Sequence, residues 1–331
     1  MYAARGRVRL DGRAGGYGVH VRAAILRQYD ATPELGDFDP PSAAGASLAA
    51  DVLAAGLNPV DLRKAAGVFP LAPKPPLPSV AGWEGVGRLD DGRRVYFDTP
   101  VAPHGALAER TLLDPDELFD VPDGVDDGVA VALGIAGLAG WLALEWSAKL
   151  RGGETVVVLG ASGAVGQVAV QAARLLGAGR IVAAGRSRAG LDRAAELGAD
   201  AAVPLGDDLE NALREAAPDG VDVVVDPLWG EPAVAAMKAC NRYARHVALG
   251  QSAGLEATIA SADVRNRALS IVGHTNYAVP LEDRRAAYER MAAHAAAGEL
   301  TVDYERVPLE DAPAAWERLR SGPGAKLVVV P

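Results

Sequence analysis

Cysteine is nearly absent from this sequence. Cys240 is the single cysteine among 331 residues. This count excludes a disulfide framework and any zinc or iron–sulfur site that needs several cysteines. A lone cysteine is most often a buried structural residue, and scarcity of cysteine is typical of reducing compartments. We therefore expect a cytoplasmic protein.

Positive charge and long apolar segments are also scarce. The chain carries 33 Lys and Arg against 43 Asp and Glu, and its formal net charge of −10 argues against binding to nucleic acid. The longest uncharged segment, residues 128–144, is barely long enough to span a membrane and contains four glycines. We interpret this segment as a buried helix and expect no association with a membrane.

The first 20 residues differ from the rest of the chain. They are rich in arginine and glycine and show no periodicity, whereas a strand pattern begins at Val21. We expect residues 1–20 to form a disordered extension, whose removal would leave stability and activity unchanged.

Two periodicities divide the remaining chain. Up to about residue 125, short apolar runs separated by turn residues predict strands, and no helical period dominates. These runs are residues 21–26, 48–55, 83–89, 94–97 and 106–113. After about residue 145, apolar runs alternate with helical patterns, which predicts a doubly wound parallel sheet. The six runs are residues 155–159, 181–184, 201–205, 221–225, 246–249 and 269–272.

The last part of the chain is too short to fold alone. It contains two helical patterns, residues 281–297 and 311–320, the second capped by Asp311. A final apolar run at residues 326–330 predicts a strand. We expect this tail to pack back on the β-rich N-terminal part.

The loop after the first parallel strand has the spacing of a phosphate-binding turn. In VVVLGASGAVGQ, residues 156–167, Gly163 and Gly166 match the second and third glycines of GxGxxG. The loop follows a strand and opens a helix, the context in which backbone N–H groups bind a pyrophosphate. We predict that a dinucleotide contacts five loop residues: Ala161, Ser162, Gly163, Ala164 and Val165.

Several motifs resemble those of one family and occur in its order: GLNPVDLRKAAG (56–67), PSVAGWEGVG (78–87), the 134–166 segment, HVALGQSAG (246–254) and GAKLVVVP (324–331). In them the chain resembles the medium-chain dehydrogenase/reductase superfamily, and more closely its zinc-independent quinone oxidoreductase group. The resemblance implies an α/β fold, with a GroES-like β-rich catalytic domain (residues 21–145 and 275–331) and a Rossmann domain (146–274). It also implies a homodimer.

The family's zinc positions hold other residues in this chain. The zinc branches place cysteine where this sequence has Asn58 and histidine where it has Trp83, and their structural zinc needs four cysteines. The five histidines show no ligand spacing. We therefore predict no metal site. Without a metal, the natural chemistry is hydride transfer from a nicotinamide to an electron-poor acceptor, such as a quinone or an α,β-unsaturated carbonyl.

Three residues are candidates for the catalytic site. Asn58 lies in the family's NP-x-D motif, which the resemblance places near the nicotinamide; alternatively, its side chain holds the turn before Pro59. His104 lies in a loop that edges the cleft in the family, or is a surface residue. Tyr277 follows the sixth Rossmann strand and is either a proton donor or a packing residue.

The second parallel strand suggests which cofactor is used. An NAD enzyme holds the adenosine ribose with an acid at its end, but this chain has Gly185 there. Arg186, Ser187 and Arg188 follow and offer donors to a 2′-phosphate, so we predict NADPH. The resemblance implies that further residues line the cofactor site: Leu249, Gly250, Ser252, Asn276 and Lys326.

These observations predict an NADPH-dependent, zinc-independent reductase of quinones or enones. Two alternatives stay open, a zinc-free alcohol or carbonyl dehydrogenase and a catalytically idle NADPH-binding protein. The second alternative, an idle NADPH-binding protein, is kept because several quinone reductases carry tyrosines where this chain has Arg63 and Phe69.

Overall fold

The computed structural model describes residues 20–43, 45–322 and 324–331. The extension predicted at residues 1–20 therefore lies outside the described residues, apart from His20, and stays a prediction. The strands are β1 (Val21–Leu26), β2 (Glu34–Phe38), β3 (Leu48–Leu57), β4 (Ser79–Val80), β5 (Glu84–Leu89), β6 (Arg94–Phe97), β7 (Arg110–Leu113), β8 (Phe119–Asp120), β9 (Thr155–Leu159), β10 (Arg180–Gly185), β11 (Ala201–Pro204), β12 (Val221–Asp226), β13 (Cys240–Ala248), β14 (Ser270–Gly273), β15 (Tyr304–Pro308) and β16 (Lys326–Val330).

Helices connect most of the later strands. They are α1 (Pro59–Ala65), α2 (Asp127–Ala132), α3 (Leu138–Leu142), α4 (Ala164–Leu175), α5 (Arg188–Glu196), α6 (Leu209–Ala216), α7 (Gly230–Ala239), α8 (Ser261–Arg265), α9 (Leu281–Ala296) and α10 (Ala312–Ser321). Two π-helical segments, Leu133–Gly137 and Ala143–Ala148, continue α2 and α3. Short 3₁₀ helices occur at Pro115–Glu117, Asn276–Ala278 and Leu309–Asp311.

A six-stranded parallel sheet has the order β11-β10-β9-β12-β13-β14. Its central strand β9 is buried on both faces: Val156 and Val158 pack with Val168 of α4, whereas Val157 packs with Met237 of α7. Parallel strands covered by helices on both faces are expected to be almost continuously apolar, as these are. The predicted doubly wound sheet is confirmed, and its strand order reverses between β9 and β12.

The β-rich part forms two further sheets. One has the order β2-β1-β4, and the other joins β15, β16, β3, β5, β6 and β8, with β7 also paired to β3. The final strand β16 lies antiparallel to β3, with Leu327 opposite Leu57. This pairing confirms that the tail packs on the N-terminal β-rich part. The domain limits inferred above stay a prediction.

Some predicted element limits were wrong. Strand β13 begins at Cys240 rather than at residue 246, because Asn241 and Arg242 interrupt the apolar pattern and hid its first half. Of the predicted strand at residues 106–113, only β7 pairs in a ladder; Ala108 forms an isolated bridge to Ala23. Strand β2 was missed because ELGDF is mostly polar and lies at a sheet edge.

Two expectations about single residues had different outcomes. Asp311 precedes α10 as expected, but its side chain forms no capping hydrogen bond, so the predicted cap was wrong in its chemistry. Cys240 is buried as expected, and its thiol donates to the carbonyl oxygen of Ala236 at 3.3 Å. Burial raises the pKa of this thiol to about 12, which makes it unreactive.

The apolar segment 127–148 is long and apolar enough to span a membrane by composition, but 78% of its most apolar window is buried inside the protein. Glycines let it pack closely on both halves of the molecule. A Cβ on Gly134 would lie 2.1 Å from the Tyr96 ring, and a Cβ on Gly140 would lie 2.6 Å from the carbonyl oxygen of Val165. The segment is therefore a core helix between the β-rich part and α4.

Candidate active site

The glycine-rich loop after β9 presents free backbone donors. Gly160 has a φ of +64°, which favours glycine, and a Cβ on Gly166 would lie 2.4 Å from the carbonyl oxygen of Gly160. Among the described residues, nothing accepts a hydrogen bond from the N–H groups of Ala164, Val165 and Gly166. Such groups at the start of a 12-residue helix, after an exposed Gly163, bind anions well.

Two other loop residues hold the loop against its neighbours. The N–H group of Ala161 donates to the carbonyl oxygen of Ala184 in β10 at 3.0 Å. Ser162 packs against α5, where a Cβ on Gly190 would lie 2.4 Å from the Cβ of Ser162. The loop is thus fixed to β10 and α5 before any ligand binds.

A cavity of about 890 Å³ opens at the carboxyl ends of the strands on one side of this loop. Its walls include Arg186, Leu205, Leu228 and Ser252, which follow β10, β11, β12 and β13 respectively. Doubly wound sheets bind ligands at this edge. Four carboxylates also line the cavity: Asp207, Glu210, Glu231 and Glu256.

The residues predicted to bind the 2′-phosphate have three different positions. The guanidinium of Arg186 is exposed at the cavity and forms no ion pair with any described residue. Ser187 caps α5 by accepting a hydrogen bond from Gly190 N–H at 3.1 Å. Arg188 is exposed and pairs with Asp192 at 2.9 Å. Of the three, Arg186 is the one with a free cation at the cavity.

The loop after β13 packs on the loop after β12. Leu249 N–H donates to the carbonyl oxygen of Asp226 at 2.9 Å, and the hydroxyl of Ser252 donates to the carbonyl oxygen of Pro227 at 3.2 Å. A Cβ on Gly250 would lie 2.3 Å from that Pro227 oxygen. These contacts bring Ser252 to the cavity.

A fully buried pair below the cavity was missed from the sequence. The Asp226 carboxylate lies 2.7 Å from Nε2 of His246 and accepts hydrogen bonds from the N–H groups of Leu228 and Trp229. It therefore holds the turn that leads into α7. An acid that ends an apolar strand is a signal that could have identified it.

Asn58 belongs to a buried polar cluster. Its amide donates to Oε1 of Glu84 at 2.6 Å, and its oxygen accepts from Nζ of Lys326 at 2.7 Å. Glu84 also accepts from Nζ of Lys326, from the Tyr96 hydroxyl and from Ile135 N–H. The cluster occupies both ends of the Asn58 amide, and it places Lys326 in the β-rich part, with its ammonium bound to these two side chains.

Asp61 lies next to this cluster and is completely buried. Its Oδ2 accepts from Asn58 N–H at 2.7 Å, whereas Oδ1 has no hydrogen-bond partner among the described residues. Burial raises the pKa of this carboxyl to about 7, although the nearby ammonium groups of Lys64 and Lys326 oppose the rise. The carboxyl therefore changes charge near neutral pH.

Lys64 is a second residue that sequence reasoning missed. Its side chain is buried, and its Nζ lies 5.6 Å from the ring centroids of Trp83 and Tyr277 and 6.0 Å from that of Phe69. We call these three rings the aromatic cage. Lysine in an α1 sequence suggests a surface residue, but Lys64 lies one turn after the buried Asp61, a spacing that could have indicated burial.

Tyr277 lies beside the Lys64 ammonium. Its hydroxyl is buried, and none of the described side chains meets hydrogen-bond geometry with it. Burial raises the pKa of this phenol, and the neighbouring Lys64 ammonium partly opposes the rise. Its ring packs against that of Phe69, with 5.4 Å between centroids.

Asn276 joins the loop that carries Tyr277 to the core helix. Its amide donates to the carbonyl oxygen of Ile135 at 3.0 Å, and its oxygen lies 3.2 Å from Nε2 of His274. His274 in turn lies 2.9 Å from the hydroxyl of Ser147. Because the N–H of Ile135 binds Glu84, this one residue connects the Asn58 cluster to the chain after β14.

His104 lies apart from the other candidates. Its half-buried ring packs edge-to-face on Phe38, with 5.9 Å between centroids, and burial lowers its pKa. It makes no described contact with the Asn58 cluster or the aromatic cage. Across the described residues, no three His, Cys, Asp or Glu side chains are grouped to hold a metal ion.

Comparisons with known proteins agree on one family. The family described as zinc-binding dehydrogenase matches residues 164–295. A quinone oxidoreductase of Pseudomonas aeruginosa is 37% identical over 134 residues, 38% of this chain and 40% of that protein. A probable NADPH-dependent quinone reductase of Emericella nidulans is 32% identical over 216 residues, 55% of this chain and 60% of that protein. The aligned segments thus span less than two thirds of both relatives.

A solved structure matches over a greater length. The quinone oxidoreductase of Thermus thermophilus, which was also solved with NADPH, covers 94% of this chain and all of its own at 29% identity, with a TM-score of 0.78. This agreement extends over both the β-rich sheets and the parallel sheet. These comparisons indicate the medium-chain dehydrogenase/reductase superfamily and, within it, the quinone oxidoreductase group.

Proposed function

We propose that this protein is an NADPH-dependent, zinc-independent reductase of quinones or α,β-unsaturated carbonyls. The observation that carries the proposal is the pairing of two anion-binding features on one sheet edge. These are the unpaired N–H groups at the start of α4 and the unpaired guanidinium of Arg186. A dinucleotide with a 2′-phosphate fits both.

The residues of the loop fit such a cofactor. Gly166 leaves no room for a side chain and Gly163 is exposed, so a pyrophosphate can approach the backbone closely. The named relatives from Pseudomonas, Emericella and Thermus support quinone reduction with NADPH. Asn58 and Trp83, at the positions where zinc branches carry ligands, support a reaction without zinc; the amide of Asn58 is already bound by Glu84 and Lys326.

NADPH, when bound, would supply a hydride. The protein's part is to orient the acceptor and to exclude water. Tyr277 is the proposed proton donor, because its hydroxyl is buried without a hydrogen-bond partner among the described groups. Asn58 acts as a positioning residue, since its side chain is enclosed by Glu84 and Lys326. Asn276 holds the loop that carries Tyr277 against the core helix.

A screen of acceptors tests this function. The purified full chain is mixed with NADPH or NADH and with 1,4-naphthoquinone, an aliphatic enone or a saturated ketone, and the loss of reduced cofactor is followed by absorbance. We expect turnover with the quinone or the enone, and faster with NADPH. Turnover of the ketone alone would favour a zinc-free carbonyl dehydrogenase. NADPH binding without any turnover would favour the idle binding protein.

We also propose a cytoplasmic homodimer without nucleic-acid or membrane partners. Strand β14 supports the dimer, because it ends the parallel sheet and its Ile271 is 40% exposed. An uncovered edge strand readily pairs with a second copy of itself. The acidic net charge of −10 supports the absence of nucleic acid as a partner.

A further inference from the structure

Lys64 is an ammonium group that the protein buries without a carboxylate partner. Its side chain is only 4% exposed, and no carboxylate oxygen of the described residues lies within 4.0 Å of Nζ. Asp61 and Asp98 act on it from longer range. A buried cation without a close counter-ion is unfavourable, and aromatic faces compensate only in part.

The aromatic cage around Lys64 opens to the surface. Phe69, Trp83 and Tyr277 are each partly exposed, whereas the ammonium lies beneath them. The neighbours of Phe69 are apolar as well: Val68 is 62% exposed and Leu71 is 53% exposed. The result is a small apolar rim above the buried Lys64 ammonium, with the Arg63 guanidinium 5.7 Å from the centroid of the Phe69 ring. Such a site suits a flat, uncharged ligand that carries an oxygen acceptor.

The cage also lies where the two halves of the molecule meet. Trp83 precedes Glu84, which binds the N–H of Ile135, and Tyr277 follows Asn276, which binds the carbonyl oxygen of the same residue. Glu84 and Asn276, the chain neighbours of two of the rings, therefore both bind Ile135 of the core helix.

We propose that Lys64 binds the carbonyl oxygen of the acceptor, with the aromatic cage stacking against the conjugated system. The proposal rests on the proposed reductase function and names its substrate class: planar, conjugated carbonyl compounds. The hydride would come from NADPH when bound, at the expense of one C–H bond of its nicotinamide, which would leave as NADP⁺. Its addition to the electrophilic carbon of the acceptor forms one C–H bond and moves the π electron pair onto the oxygen, which becomes an enolate or a hydroquinone anion. Lys64 keeps its proton and stabilises this charge by a hydrogen bond, and a proton from Tyr277 or solvent then completes the reduction.

The variant Lys64→Met tests the proposal in a binding experiment that requires no turnover. The probe is 4-nitrophenol, a flat phenol whose anion is coloured, titrated against the full chain without cofactor. We expect the wild type to bind the anion and to lower the pH at which the bound phenol ionises. In Lys64→Met the anion should bind about 10- to 100-fold more weakly, because a hydrogen bond to a charged group is lost.

Activity and stability give two further measurements. If the quinone or enone is reduced, Lys64→Met should lower kcat by about 100- to 1000-fold, as for the loss of one oxyanion donor. Its Tm should be equal to or above that of the wild type, since an unpaired buried charge is removed. Lys74→Met is the matched control: Lys74 is exposed, lies 5.5 Å from the ring centroid of Tyr29, and should leave binding and kcat unchanged.

The outcomes separate the two proposals. Unchanged anion binding and kcat in Lys64→Met would overturn the role of Lys64 while leaving the reductase function standing. A fall in Tm in both Lys64→Met and Lys64→Gln, with anion binding retained, would also overturn it and indicate a structural cation. Conversely, if the wild type reduces no acceptor but binds nitrophenolate through Lys64, the reductase function fails and the anion site stands.

Discussion

At the scale of single residues, one arginine distinguishes the proposed cofactor site. Arg186 and Arg188 are nearly adjacent in sequence, yet Arg186 lines the cavity with a free guanidinium whereas Arg188 pairs with Asp192. Four carboxylates share the cavity with Arg186 and would repel a 2′-phosphate, and the other cation of the lining, Lys238, lies 3.7 Å from Glu210.

Arg186→Ala should therefore change the cofactor preference. We expect the ratio of NADPH to NADH affinity, measured by fluorescence titration, to fall about 10- to 100-fold, because a charge-assisted hydrogen bond is lost. Arg188→Ala is the control and should change the ratio less than about threefold, as its exposed ion pair contributes little. An unchanged ratio in Arg186→Ala would remove the physical basis for NADPH.

Asp61 should make the stability of the protein depend on pH. Its pKa is raised to about 7 in the folded protein, so between pH 4 and pH 7 the folded state binds more protons than the unfolded state. The free energy of unfolding should therefore decrease, through this group, as pH rises towards 7. At pH values above this raised pKa, the stability that protonated Asp61 contributes is lost completely.

Asp61→Asn should abolish this contribution. In urea unfolding between pH 5 and 8, the variant should gain stability relative to the wild type as pH rises, with a limiting slope of about 1.4 kcal/mol per pH unit. The control is Asp123→Asn, at an exposed carboxylate. Its difference from the wild type in the free energy of unfolding should not change with pH. If the difference between Asp61→Asn and the wild type were also independent of pH, the Asp61 carboxyl would not titrate in this range.

At the scale of elements, the core helix 127–148 determines how the two halves of the molecule meet. Ile135 donates its N–H to Glu84 and accepts a hydrogen bond from Asn276 at its carbonyl oxygen. These two backbone groups are free to bind side chains because the helix is irregular at this point. Gly134 supplies that irregularity, with a ψ of −118° inside the helical run, directly against Tyr96.

Gly134→Ala should destabilise the protein. The new methyl group would collide with the buried ring of Tyr96, whose hydroxyl is bound to Glu84, so the ring has little freedom to move. We expect a loss of about 1–3 kcal/mol in the free energy of unfolding. Gly152→Ala, where the nearest atom is 3.9 Å away, should have little effect. Equal stabilities of the two variants would contradict this account.

At the scale of the whole molecule, the parallel sheet ends at β11 on one side and at β14 on the other, and Ile271 of β14 is 40% exposed. Ile271→Lys places a charge on this edge and should convert a dimer to a monomer in sedimentation velocity experiments, because edge pairing is sensitive to charge. Leu255→Lys, at a leucine that is 75% exposed away from the sheet edge, should leave the dimer intact. A wild type that sediments as a monomer would exclude the proposed homodimer.

Much of the architecture could be predicted from the sequence because it depends on local pattern. Apolar runs such as residues 155–159 and 221–225 determined the parallel sheet, since strands buried on both faces must be apolar throughout. The spacing of Gly163 and Gly166 likewise determined the turn into α4. Polar strands such as β2 carried no such pattern and were missed.

Only the tertiary structure decided which polar side chains meet. Asn58, Glu84 and Lys326 are far apart in sequence, and their contact depends on β16 lying beside β3 and β3 beside β5. The same holds for Lys64 and Tyr277, which approach each other only after the chain returns from β14. Local pattern determines elements because it acts within a few residues; the environment of a charge depends on distant segments, and only the packed structure brings these together.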